Sequence, residues 1–174
     1  MKLLKFIGQL VNKSSITILF ISIVFLVYVL LMKYIDHSTR SIIILIPVLA
    51  LCKVIFFTFF TFRKMQALMN RLAGISEVLL IFALLVVLMS FSFATDFSCL
   101  AEFDRQSFKG ISDNTNMSSW KRLFDYFYLS VVTFTSLGYG DIVPLSIPAK
   151  LLVMMEVGLS FLLVIFGLSN KIYI

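Results

Sequence analysis

Ser136, Leu137, Gly138, Tyr139 and Gly140 offer almost no side-chain reactivity, yet their main chain can do one demanding piece of chemistry. A monovalent cation sheds its water only where several oxygens replace it together, and successive backbone carbonyls provide them when all turn toward one axis. Such a turn needs positive φ at alternating positions, which Gly138 and Gly140 adopt without a Cβ penalty. Covalent chemistry finds no comparable foothold. His37 is the only histidine, the cysteines and carboxylates are scattered, and neither a nucleophile-base pair nor metal-ligand spacing occurs. The sequence therefore reads as a non-enzyme without a cofactor.

The elements that would position this stretch are apolar. Of 174 residues, 60% are hydrophobic and 14% charged, and the mean hydropathy is +1.04, a composition that belongs in a bilayer. The net charge of +6 forms no dense basic patch, so membrane lipids are expected as partners and nucleic acid is not. Ile16 to Met32 carries no charge, has Lys13 and Lys33 at its ends, and predicts a first spanning helix rather than a cleaved signal peptide. Ahead of it, residues 1–14 set Leu3, Leu4, Phe6, Ile7, Leu10 and Val11 at helical spacing among polar residues, the pattern of an interfacial segment and equally of a frayed terminus. Ser41 to Phe62, interrupted only by Pro47 and Lys53, predicts the second span, and Val78 to Thr95 the third, so residues 15–95 hold three transmembrane helices.

Residues 96–122 change to acids, bases, Ser, Asn and Gly, which cannot lie in hydrocarbon without large desolvation costs, and predict a water-facing loop. Within 123–174, Leu123 to Thr135 is amphiphilic and too short to cross, while Leu151 to Ser169 predicts a fourth span containing Glu156, Gly158 and Gly167. The stretch 136–140 thus falls between the third and fourth spans, where irregular backbone is tolerated only if it is buried in protein or lines a watery path. Cys52 lies in an apolar run and Cys99 in the polar loop, so two free thiols are expected, with an intersubunit bridge through Cys99 as the alternative.

In its setting, TSLGYGD at Thr135 to Asp141 resembles the potassium-channel signature TVGYG. Tyr126 to Thr135 is similar to that family's pore helix, Asp141 and Pro144 follow the filter, and an apolar inner helix comes next, so the likeness covers roughly the last third of the chain. The resemblance to the potassium-channel pore family implies an all-α transmembrane fold. Four membrane-spanning helices would carry a re-entrant pore helix and selectivity filter between the third and fourth. It implies K+ as permeant ion, bound by the carbonyls of Ser136, Leu137, Gly138 and Tyr139 with the Ser136 hydroxyl closing the innermost site, and Gly140 completing the filter. Thr133, Thr135 and Asp141 would support that filter. One pore loop supplies a quarter of the ring of oxygens, so three further copies of the chain are implied, as a homotetramer. Because the family's filter opens outward, residues 96–122 become extracellular and both termini cytoplasmic. Glu156, with four spans and one pore loop, looks most like bacterial members, which implies a multi-pass protein of the cell membrane, there the inner membrane.

Ser136 and Leu137 stand where the signature has Thr and Val, and Leu129 follows Tyr128 where the family usually has a second aromatic beside the filter. These departures motivate an alternative, a cation channel of relaxed K+/Na+ selectivity; a non-conducting membrane scaffold or accessory subunit is another. Glu156, Gly158 and Ser160 are candidates for an inner-helix function, Ser160 at the position matching the family's hinge glycine. Glu156 would approach the cavity or the pore helix, or serve only as a hydrogen-bonded packing residue. Lys53 is expected to snorkel toward the cytoplasmic surface. Outside, Asp96, Glu102, Asp104, Asp113 and Asp125 would make the mouth modestly attractive to cations. No span carries arginine at every third position, so no voltage sensor is expected.

Overall fold

The computed structural model describes residues 40–69, 75–111 and 118–169, together with helical Ile23 and Leu26. The expected interfacial segment 1–14 and the rest of the first expected span lie outside the described residues. Helix α1 runs Arg40–Met69, α2 Ile75–Phe103, α3 Ser119–Phe134 and α4 Ile147–Ser169, with two short strands, β1 at Phe108–Lys109 and β2 at Val143–Pro144. Among the described residues, Phe82–Phe103 and Ile147–Ile165 are long and apolar enough to cross a membrane, and α1 contributes a shorter apolar stretch at Ile43–Phe59.

Helix α2 is central and touches α1, α3 and α4. Its Met89, Phe93, Phe97 and Leu100 repeat at three- and four-residue intervals and are buried against Ile46 and Ala50 of α1, Tyr126 and Leu129 of α3, and Leu152 and Leu159 of α4. Aromatic rings continue the core outward. Phe97 meets Phe108 edge-on at 5.5 Å between centroids, and Phe108 meets Tyr126 at 5.4 Å, binding α2, β1 and α3 together.

Several expectations need correction. The third helix does not stop at Thr95 but continues to Phe103, taking in residues 96–103 of the expected loop. It can do so because Asp96, wholly buried, is paired with the ammonium of Lys53 on α1, which also donates to the Ser92 carbonyl at 3.0 Å and lies 5.1 Å from the Phe93 ring centroid. Lys53 accordingly does not snorkel to the cytoplasmic surface, and Asp96 adds no charge to an outer mouth. Cys99 is buried in α2 rather than placed on a loop, which removes the intersubunit bridge; both cysteines are free.

Helix α3 begins at Ser119, four residues ahead of the expected start, because Ser118 caps it: its hydroxyl accepts from the Lys121 N–H at 3.4 Å. An Arg122–Glu102 ion pair at 3.2 Å fastens this end to α2. Both partners are substantially exposed, so the pair contributes at most about 1 kcal/mol. Helix α4 starts at Ile147, where the Ser146 hydroxyl accepts from the Ala149 N–H at 3.3 Å.

Candidate functional site

The stretch 136–140 leaves the C-terminal end of α3. The Ser136 N–H donates to Thr133 O at 3.0 Å and the Leu137 N–H to Val132 O at 3.1 Å, closing the helix with two reversed bonds across a left-handed residue, the arrangement called a Schellman motif. That left-handed residue is Ser136, with φ 56°. Gly usually takes this position, so a serine there carries strain of roughly 1–2 kcal/mol that the two helix-closing bonds offset. Gly138 at φ 53° and Gly140 at φ 78° continue the pattern. Positive φ therefore recurs at 136, 138 and 140, the alternation anticipated for the two glycines and extended to Ser136, which no residue-type signal indicated.

Leu137 and Tyr139, the residues between, expose 60% and 68% of their surface. Thr133 is buried on α3, and the Thr135 hydroxyl turns back to donate to Val131 O at 2.9 Å and Val132 O at 3.2 Å. Both threonines thus brace the helix end beneath the stretch.

Beyond it, the Tyr128 hydroxyl reaches back from α3 to donate to the Asp141 carboxylate. The bond holds the Asp141 carboxyl below its ordinary range and raises the Tyr128 phenol above its own. The stabilisation from Asp141 is present above about pH 4 and is lost as pH falls through its lowered value. That from Tyr128 is present below about pH 10 and is lost as pH rises through its raised value. The bond therefore persists unchanged between about pH 5 and pH 9. Tyr128→Phe is expected to raise the Asp141 carboxyl toward its ordinary range, as read by infrared or NMR titration of the carboxyl signal.

A second brace comes from the segment before α3. Strands β1 and β2 pair antiparallel, Phe108 opposite Pro144 and Lys109 opposite Val143, and the Leu145 N–H donates to Ser107 O at 2.8 Å. Gly110, at φ 98°, lies against the main chain of Asp141 and Ile142 so closely that a Cβ there would overlap the Asp141 carbonyl. Sequence reading gave Gly110 no role, although an isolated glycine in a polar stretch is the ordinary sign of a left-handed turn or close approach.

On α4, Glu156 and Ser160 are buried while Gly158 is exposed, with no side chain or neighbouring element of the described residues within 4 Å of its Cβ position. Glu156 turns to α3, where it accepts a hydrogen bond from the Ser130 hydroxyl. The Ser160 hydroxyl donates to Val157 O at 2.7 Å within its own helix, and α4 runs uninterrupted through both Gly158 and Ser160.

One membrane-length helix, a short helix that ends in alternating left-handed residues, and a second membrane-length helix all fall within residues 75–172, more than half of the chain, which match the ion channel family. The chain belongs to the ion channel family. It is thereby a helical membrane protein, and the resemblance to the potassium-channel family stands. Two-pore potassium channel 4 of Arabidopsis thaliana is 35% identical over 86 residues, 48% of this channel chain and 27% of that protein. The chain thus spans about a quarter of the length of that curated relative. No solved structure matches it.

Proposed function

We propose that the chain is one subunit of a homotetrameric, potassium-selective channel that conducts K+ passively through a backbone-carbonyl filter. The observation that carries this reading is the recurrence of positive φ at Ser136, Gly138 and Gly140, between two apolar helices of membrane length. Alternating backbone of that kind turns the carbonyls of Ser136, Leu137, Gly138 and Tyr139 toward a common axis, and the Ser136 hydroxyl supplies the innermost oxygen. Thr133, Thr135 and Asp141 support the filter through the helix end and the Tyr128 bond.

The fourfold assembly is supported by what the single chain leaves uncovered. Leu137 and Tyr139 stand exposed behind the carbonyls, Trp120 and Phe124 are exposed on α3, and Leu151, Met154, Gly158, Phe161 and Ile165 form one exposed stripe of α4. Neighbouring subunits would bury these surfaces around the pore, while Ile44, Val48, Leu51, Ile55 and Phe59 of α1 form a second apolar stripe for lipid. In this reading the first expected span completes four, both termini are cytoplasmic, and the protein is a multi-pass component of a cell membrane. The C-terminal end of α3, negative by its helix dipole, favours a cation in the cavity below the filter.

Purified protein in liposomes, with K+ and Na+ set asymmetrically, is expected to reverse near the potassium potential and to pass Rb+ as well as K+. Equal permeability to Na+ would replace this reading with a channel of relaxed selectivity, to which Ser136, Leu137 and Leu129 point. No flux at all would favour a scaffold or accessory subunit.

A further inference from the structure

Four wholly or almost wholly buried polar side chains from four different helices converge in the core: Lys53 of α1, Asp96 of α2, Ser130 of α3 and Glu156 of α4. Lys53 pairs with Asp96, Ser130 donates to one Glu156 oxygen, and Glu156 lies within electrostatic reach of both Lys53 and Asp96. The other Glu156 oxygen has no hydrogen-bond partner among the described residues. A carboxyl group wholly removed from water and only half satisfied is a costly packing residue. A leucine would fill the space at no such cost, so the carboxyl calls for a role of its own.

Ser130 shows what that role acts on. It stands three residues before Thr133 and six before Ser136 on α3, the helix whose C-terminal closure sets the left-handed conformation of Ser136. Tyr126 and Leu129 pack α3 into the core, and a buried hydrogen bond adds to that packing a contact of fixed direction and length. Moving α3 by a fraction of a turn breaks that bond and leaves the Glu156 carboxyl, already half satisfied, without its partner.

We infer that Glu156 is a positioning residue for the filter: through Ser130 it fixes the depth and rotation of α3 against α4, and with them the register in which the 136–140 carbonyls meet the axis. Lys53 and Asp96 are the charged groups that face Glu156, so the inner helix, the filter helix and the two outer helices meet at one polar point. The inference rests on the reading of 136–140 as the filter.

The test uses the full-length protein in liposomes with two readouts, the K+/Na+ flux ratio and backbone hydrogen exchange over residues 126–141. Ser130→Ala, the mildest change, and Glu156→Leu are each expected to lower the flux ratio at least tenfold and to speed exchange over 126–141 at least tenfold. Glu156→Gln keeps an acceptor for Ser130 and is expected to stay within about threefold of the parent in both. If Ser130→Ala leaves both readouts unchanged, or if Glu156→Gln is as damaging as Glu156→Leu, the positioning role is wrong. Should Glu156→Leu fail to fold, Ser130→Ala and Glu156→Gln decide alone. If the parent protein conducts nothing while exchange responds as expected, Glu156 positions α3 but 136–140 is no conducting filter, which separates failure of the functional reading from failure of this one.

Discussion

Gly138→Ala is expected to reduce K+ flux at least a hundredfold while the protein still inserts and assembles. Gly138 sits at φ 53°, and a Cβ there meets nothing within 4 Å among the described residues, so the cost comes from backbone conformation rather than collision. An L-residue held left-handed costs roughly 1–2 kcal/mol. The filter proposed above is a ring of four copies, and the penalty applies to each, so about 4–8 kcal/mol would oppose the fully formed ring. A rotated peptide removes a carbonyl from the axis and turns an N–H toward the cation, so even one defective copy places repulsion where attraction is needed. Liposome flux reports the loss, and size-exclusion chromatography of the extracted protein reports that assembly survives. Flux that persists would mean that the ion path does not run through 136–140.

Ser136 offers the milder companion experiment. Ser136→Gly removes the strain at φ 56° together with the hydroxyl, so thermal stability is expected to hold or rise by up to about 1 kcal/mol while K+ binding at the innermost position weakens. A loss of stability instead would show that Ser136 is held by side-chain contacts and not by the closure of α3.

The contrast between these two positions shows where the sequence was legible. Gly138 and Gly140 announce left-handed backbone by residue type, and the spacing of the apolar runs located α1, α2 and α4. Ser136 takes the same conformation because of two hydrogen bonds to Val132 and Thr133, and a serine carries no sign of that. The end of α2 lies eight residues beyond the expected Thr95 for a related reason. Asp96 looks like the first residue of a water-facing loop until its partner is known, and Lys53 lies forty-three positions earlier on another helix. A lysine inside an apolar run does demand a counter-charge, but Glu77, Asp96 and Glu156 all stand at or within later apolar runs, and only the packing of α1 on α2 selects Asp96. Glu156 is legible as a charge within the inner helix that faces the cavity, the pore helix or the packed interior, but Ser130, one hydroxyl residue among several on α3, is identified as its partner only by how the two helices pack.

Gly110→Ala is expected to have the next largest effect, and it acts from outside the filter. The added Cβ overlaps the Asp141 carbonyl oxygen and lies 2.9 Å from its carbon, both backbone atoms that cannot swing aside as a flexible side chain would. Positive φ at 98° adds strain to the overlap. Either the β1–β2 pair opens, or residues 141–142 move and draw the Tyr128 bond and the filter exit with them. The combined cost is about 2–4 kcal/mol, which converts to roughly 30-fold or more in hydrogen exchange over residues 107–111 and 141–145. Because Asp141 directly follows Gly140, K+ flux is expected to fall at least tenfold, although Gly110 lies twenty-eight residues before Gly138 and touches no carbonyl of the filter itself. Faster exchange with normal flux would mean that the outer strand pair can open without disturbing the filter. The Tyr128–Asp141 bond alone would then suffice to hold the filter's outer end, and Tyr128→Phe should inherit the large effect expected here for Gly110→Ala.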